Sequence, residues 1–421
     1  MSSPEQQTAA STEPAPRSQD GDEPQVLFSQ GTDGPHVDAY RARVRELIAA
    51  SLWPLVEPAE AERRFPRAAV ETVGGAGLLR ERWAGEHGDA GKALIFSEEL
   101  GRAGLGGIGI GLIVQSDNVI PILRRFGGSP EARRWLDGVL DGTAIGCVAA
   151  SELAGGSDLA SVQTTALPEG DGWRVRGTKA FSSPAGAADF CLVLCRLEGE
   201  SFLGPKLGIA IVEKDHFDAR PLNTSGCRSL ETCRLTIDGQ IPAGGLLAPQ
   251  GLGLHAANWG LTYERLAGAA QALGAAEAAI LLATTHLHRR QQFGVPLFEH
   301  QALRMRLASL AAELLLARNG LYVLAAKWAK PDQTLIREAA AAKAAAAVLS
   351  ERVASECAHM FGGAGYLEDE TPFPRMLRDM RLARLGGGTN EMMWELYAQG
   401  LPVDDELYER MVSIEQPPDS D

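Results

Sequence analysis

A β-rich stretch set between two helical stretches is the feature that most limits what this chain can fold into. Residues 147–250 hold TTALPEGDGWRVRGTKAF, DFCLVLCRL, LGIAIVEK and CRLTIDGQIP, short β-rich runs broken by Gly, Asp and Pro turns. On either side the apolar residues recur at helical spacing. YRARVRELIAASLWPLV and EARRWLDGVLDG carry that pattern in 37–146, and RFPRAAVETVGGAGLL has a Pro near a helix start and Gly near its end. In 251–402 the segments are long and Ala/Leu-rich; REAAAAKAAAAVLSERVASECAHMF consists almost wholly of strong helix formers. The order predicts an α+β architecture: an N-terminal α-helical domain (37–146), a middle β domain (147–250) and a C-terminal α-helical domain (251–402). No internal repeat is apparent.

The ends read differently. Residues 1–36 are rich in Ser, Pro, Gln, Gly and acids, too polar to order themselves, and predict a disordered leader. With no basic n-region and no apolar h-region they are not a signal peptide. Residues 403–421 predict an acidic, frayed tail. The longest uncharged run, Ala103 to Ser116, is too short and Gly-rich to span a bilayer. At 421 residues the chain exceeds one ordinary core. A net charge of −14 argues against nucleic acid, which needs a basic stripe, and against insertion into or binding to anionic membranes. The six cysteines form no CxxC pair and no His cluster stands near them, so no metal site is predicted. Reduced thiols and a cytoplasmic location are expected.

Four strings carry chemistry. AASELAGGSDLASVQTTA contains Ser151, Gly156 and Ser157. Glycines let a backbone approach a ligand and small hydroxyls can donate to it, although such a loop alone is more often a plain turn. GTKAFSSPAGAADF sets Phe181 and Ser183 on a strand, an aromatic face followed by hydroxyls, which is otherwise ordinary core-and-surface alternation. THLHRRQQFGVPLFEHQALRMRLASL contains Arg290, Gln292, Phe293 and Gln301. A guanidinium fork suits a pyrophosphate, while a helical Arg is mostly a solvated charge. HMFGGAGYLEDETPFPRMLRDMRLARLGGGTNEMMWELYAQGL contains His359, Gly362, Gly363, Gly365, Thr389 and Glu391. Neither a phosphate-loop signature nor GxGxxG after a leading strand is present, so a Rossmann site is not supported.

Taken together, these strings resemble the acyl-CoA dehydrogenase family over almost all of residues 37–401. AASELAGGSD is similar to its TEPxxGSD signature, GTKAFSS to GxKxWIT with Phe181 in the Trp place, RRQQFG…Q to RxQFGxxxxxxQ, and the last string to FGGxGY…RD…GGTxEI. The resemblance implies helical, β and four-helix-bundle domains and an FAD flavoprotein oxidoreductase that α,β-dehydrogenates an acyl or aminoacyl thioester. The thioester would be carried on CoA or a carrier protein. It assigns Ser151, Gly156, Ser157, Phe181, Ser183, Thr389 and Glu391 to the flavin side. Arg290, Gln292, Phe293 and Gln301 fall to the FAD of a neighbouring subunit, His359, Gly362 and Gly363 to the adenosine diphosphate part of FAD, and Ser157 and Arg265 to substrate. A homotetramer, or at least a dimer, and an electron-transfer flavoprotein as acceptor are further implications.

Removing a proton α to a thioester needs a carboxylate whose pKa rises in a dry site. Many relatives place it just before the final Gly-Thr, where this chain has Gly387. A subgroup resembling isovaleryl-CoA and long-chain acyl-CoA dehydrogenases places it in an ERL helix, and GLTYERLAGAAQALG offers Glu264 followed by Arg265. Glu264 is therefore the expected base. Two other functions fit less well: a flavin monooxygenase or oxidase on the same scaffold, and a non-catalytic partner subunit.

Overall fold

Short helices open the described part of the chain, which a computed structural model covers at residues 35–201, 204–249, 251–328 and 335–412. They are α1 (Pro35–Leu47), α2 (Val56–Glu62), α3 (Arg67–Gly75), α4 (Leu78–Arg82), α5 (Ala90–Arg102), α6 (Gly107–Val114), α7 (Ile120–Phe126) and α8 (Pro130–Asp141). The caps explain several boundaries. Asp89 accepts from Lys92 N at 3.0 Å to start α5. Ser129 accepts from Ala132 N at 3.1 Å ahead of Pro130 to start α8. Between α6 and α7 the helix runs on through a π-turn, Gln115–Val119, whose five residues are all buried.

The strands follow: β1 (Gly146–Ala149), β2 (Thr165–Glu169), β3 (Gly172–Ser182), β4 (Phe190–Ser201), β5 (Gly204–Glu213), β6 (Phe217–Pro221), β7 (Cys233–Pro242) and β8 (Leu246–Leu247). They form one sheet in the order β6-β7-β3-β2-β4-β5-β8, with β1 parallel to β4. Residues 190–195, FCLVLC, are buried without alternation because β4 is covered on both faces. By contrast β7 alternates buried and exposed at every step. The β3–β7 register shifts between Lys179 and Ser182, a bulge that turns Phe181 out of the ladder.

The third part holds α9 (Gly253–Arg289), α10 (Gln301–Trp328), α11 (Ile336–Met360), α12 (Phe373–Met380), α13 (Asn390–Ala398) and α14 (Asp405–Met411). By length and composition α9 and α10 could each cross a membrane, but 67% of the most apolar window of α9 is buried in the fold. Its apolarity serves the core. Backbone touches backbone where α5 meets α9: a Cβ on Gly101 would stand 1.9 Å from Gln271 O, and one on Gly274 2.0 Å from Glu98 O. Buried charges nearby are paired; Glu98 accepts from Arg41 at 2.9 Å and from Tyr322 Oη at 2.8 Å, and also from Arg318.

The expected leader lies, except for its last two residues, outside the described residues, and so does the tail beyond residue 412. Within the tail one expectation is corrected: residues 405–411 are helical rather than frayed. Asp404 accepts from Leu407 N at 2.8 Å, and Asp405 and Glu406 occupy the first turn, where acids favour the helix dipole.

Candidate functional site

Glu264 lies partway along α9, partly accessible, between Tyr263 and Arg265, which are both buried. Asn118 Nδ2, from the π-turn, donates to Glu264 Oε2. The other oxygen, Oε1, faces the Gly-rich loop: a Cβ placed on Gly387 would stand 3.8 Å from it. Burial raises the Glu264 pKa above the usual carboxylate range, against the pull of Asn118, Arg265 and Lys343. Arg265 is spent mostly on the loop. Its Nε donates to Gly387 O at 2.9 Å, while Nη1 is buried with no hydrogen-bond partner among the described residues.

Lys343, on α11, holds the same loop from the far side. Its Nζ donates to Gly388 O at 2.6 Å and to Asn390 Oδ1 at 3.3 Å. Burial, followed by the neighbouring Arg265 charge, brings its pKa down to about 8. Thr389 caps α13, accepting from Met392 N at 3.4 Å, and Glu391 is exposed in the first turn.

Ser151, Gly156, Ser157, Phe181 and Ser183 gather at the ends of β1 and β3. Ala180 N donates to Ser151 O at 3.0 Å, and Val148 bridges to Ser183. Glu152 locks this loop: it accepts from Gln163 N at 2.8 Å, Thr164 N at 2.9 Å, Thr164 Oγ1 at 2.6 Å and Lys179 Nζ at 2.9 Å. Burial opposes its charge, but the bonds from Thr164, Gln163 and Lys179 outweigh that and draw its pKa down to about 2. Ser183 Oγ shares a hydrogen bond with Thr232 Oγ1 at 2.8 Å. Phe181 is 64% exposed at φ 62°. A bulky residue held in the left-handed region is strained, and such strain gathers at functional sites.

The remaining predicted residues are elsewhere. Arg290 follows Glu264 by about 26 residues, which at roughly 1.5 Å per residue sets them about 39 Å apart along one helix. Just beyond α9, Gln292 pairs with Val295 in a two-residue hairpin whose corner is Phe293 and Gly294, at φ 54° and 82°. Phe293 is 93% exposed. Arg290, Gln292 and Gln301 are exposed as well, and none has a side-chain hydrogen-bond or ion-pair partner among the described residues. His359 and Gly362 line a groove of about 340 Å³ with Arg306, Glu356 and Tyr366, and Gly363 beside it is exposed. The candidate residues therefore fall into two groups, one around Glu264 and one beyond the end of α9.

Three family profiles match the chain in succession: the acyl-CoA dehydrogenase N-terminal domain over residues 35–143, the middle domain over 147–239 and the C-terminal domain over 251–401. The chain belongs to the acyl-CoA dehydrogenase family. It is 40% identical to the acyl-[acyl-carrier-protein] dehydrogenase MbtN of Mycolicibacterium paratuberculosis over 89% of this chain and 97% of that protein. Its fold matches the butyryl-CoA dehydrogenase of Megasphaera elsdenii with a TM-score of 0.82 at 25% identity, over 88% of this chain and 99% of that one. A structure described as the electron transferring flavoprotein of Acidaminococcus fermentans matches with a TM-score of 0.83 at 26% identity, covering 89% of this chain and 100% of that one. The chain is thus an oxidoreductase that dehydrogenates acyl thioesters, and FAD is its cofactor.

The residues of this acyl-CoA dehydrogenase suit that cofactor. Two strained, solvent-facing aromatics, Phe181 and Phe293, offer ring faces, and the groove beside His359 is open. Reading motifs alone missed Asn118, Lys343, Lys179 and Asn390. Signals for the first three were present. QSDN interrupts the apolar GIGIGLIV…IPIL run, and Lys343 is a single cation within AAAAKAAAA. Lys179 occupies a buried strand position.

Proposed function

We propose that Glu264 is the base that removes the α proton of a saturated acyl thioester, and that the acyl group arrives on a carrier protein. The observation that carries the first part is the 3.8 Å between Glu264 Oε1 and a Cβ on Gly387. The two chain positions that supply the base in different relatives converge on one point, and only Glu264 holds a carboxylate there. Burial keeps that carboxylate more basic than an exposed one, as α-proton removal requires. The second part rests on the name of the 40% identical MbtN protein.

Bound FAD supplies the acceptor for the β hydride. Around it Phe181 would offer a ring face, Ser151, Ser157 and Ser183 hydroxyls, Gly156 close backbone approach, and Thr389 and Glu391 the edge of the loop. Arg265 would orient the thioester side with its spare N–H. The loop is held by Lys343 and Arg265, so its backbone is set before substrate arrives.

The Arg290 half-site supports assembly. A residue about 39 Å along a helix from Glu264 cannot serve the same cofactor. Arg290, Gln292, Phe293, Gln301, His359, Gly362 and Gly363 would instead complete the FAD site of a second copy, in a homotetramer or at least a dimer. The exposed Met305, Leu316 and Val323 of α10 give such an assembly apolar surface to bury. An electron-transfer flavoprotein is the proposed acceptor.

Anaerobic bleaching of the flavin by a panel of acyl groups, each on CoA and on an acyl carrier protein, tests the substrate. Faster bleaching by the carrier-bound set is expected; equal or slower bleaching overturns the carrier assignment. Turnover should need electron-transfer flavoprotein, and brisk oxygen uptake without it would point to an oxidase.

A further inference from the structure

The π-turn between α6 and α7 is tied down on every side. Gly146 N donates to Gln115 Oε1 at 2.8 Å, and Gln115 Nε2 donates to Gly146 O at 2.7 Å, fastening the turn to β1. Trp83 Nε1 donates to Ser116 O at 2.7 Å. Asp117 accepts from Arg82 Nη2 at 2.9 Å, a pair buried on both sides. A π-turn gives up regular α-helical hydrogen bonding, and such turns are frequent at functional sites. What this one gains is the direction of Asn118. The amide reaches across to α9, where a Cβ on Gly260 would stand 2.4 Å from Asn118 Oδ1. Only glycine leaves room there.

We propose that Asn118 is a positioning residue for dehydrogenation: its amide pins one oxygen of the Glu264 carboxylate and thereby presents the other beside Gly387. This rests on the reading of Glu264 as the base. Asn118 Nδ2 donates to Oε2, and Oε1 is the oxygen nearest Gly387. The amide transfers no proton. Glu264 takes the α proton on Oε1, and the Asn118 bond holds the carboxylate before and after that step. A donor stabilises the ionised form more than the neutral acid, so Asn118 keeps a buried base charged and ready.

The charged groups around Glu264 are few. Arg265 from its own helix and Lys343 from α11 favour its charge, while Asp117 opposes it and is itself neutralised by Arg82. Helices α5 and α10 bring Ala93, Leu94, Ala325 and Trp328 to the neighbouring turn, none of them ionisable. The Asn118 Oδ1 has no hydrogen-bond partner among the described residues, so the amide the turn directs at α9 is engaged through its Nδ2 bond to Glu264.

The test compares Asn118→Leu and Asn118→Asp with the parent, as FAD-loaded enzymes, using whichever of octanoyl-CoA or octanoyl-acyl carrier protein bleaches the parent flavin. Flavin reduction is followed against pH, and exchange of the substrate α protons for deuterium in D2O gives a second readout. Losing the donor should raise the acid limb by about one to two pH units and lower the plateau rate about tenfold, with KM little changed. Asn118→Asp keeps the shape and adds a second carboxylate, so its acid limb should rise further. If Asn118→Leu fails to hold FAD, Asn118→Asp decides. An acid limb and exchange rate matching the parent in an FAD-replete variant overturn the proposal. Glu264→Gln, run alongside, separates the two readings. If it reduces flavin at the parental rate, the base assignment fails first. If it is inactive while Asn118→Asp titrates like the parent, only Asn118 is wrong.

Discussion

The two halves of α9 differ in how much of their surroundings one chain provides. Near Glu264, one chain supplies several neighbours: Asn118 from the π-turn, Lys343 from α11, and the loop at Gly387 bound by Arg265. Near Arg290 the chain ends its helix, turns a hairpin at Phe293 and leaves these side chains in solvent. Desolvation can tune the carboxylate at the first end. At the second, the side chains are exposed, as the proposed shared site requires. The proposed base is set by contacts within one chain, whereas the proposed dinucleotide contacts depend on assembly.

The largest effect expected from that difference is at Glu264. Glu264→Gln keeps shape and hydrogen bonding, so flavin reduction should slow by about 10²–10⁴-fold with FAD retained. In the parent, burial raises the Glu264 pKa. The base works only when ionised, so kcat/KM should rise with pH through a limb above the ordinary Glu value of about 4.3. Stopped-flow reduction across pH checks both points; a limb at or below that value would contradict the buried-base reading.

A second break targets the self-contained lock beneath the β-domain loop. Lys179→Met strands the buried Glu152 and should cost on the order of 3 kcal/mol in denaturant unfolding. Glu152→Gln sharpens the sign. The Glu152 pKa is depressed to about 2 in the fold, so its contribution is fully present above the unfolded value near 4.3 and is lost as pH falls through about 2. Parent and Glu152→Gln stabilities should therefore converge near pH 2.

The outer end should respond through assembly. Arg290→Ala should weaken FAD binding about tenfold to a hundredfold while leaving the pH limb of flavin-replete enzyme in place. Dilution monitored by light scattering and flavin release should show monomers losing FAD. A monomer with stoichiometric flavin would refute the shared site. The smallest effect is a rescue. Glu264→Gly with Gly387→Glu should recover about tenfold over Glu264→Gly alone, and no more. Gly387 sits at φ 67°, where a side chain costs about 1–3 kcal/mol.

Much of the fold was legible because it is written in local pattern. Residues 190–195 are a continuous apolar run because β4 is covered on both faces, and REAAAAKAAAAVLSERVASECAHM is a helix by propensity and length. The tail was misread for an equally local reason: an acidic composition suggests fraying, but Asp404 supplies a cap that turns those acids into a favourable first turn. At the candidate site, Glu264 was found because it stands in a recognisable string. Asn118 was not, since the polar QSDN interruption marks a special turn but does not say that it meets a carboxylate 146 residues away.

The sequence by itself determined the helix–sheet–helix order, the family and the FAD cofactor, and it pointed to Glu264 over Gly387, because each depends on residue type at short spacing. Only the tertiary structure decided that Asn118 meets Glu264, that Lys343 and Arg265 hold one loop from two sides, and that Arg290 lies about 39 Å from Glu264 along one unbroken helix. Those are contacts or separations across long stretches of chain. They depend on helix crossings such as the glycine-to-backbone approach of α5 and α9, and on the rigid rise of one long helix.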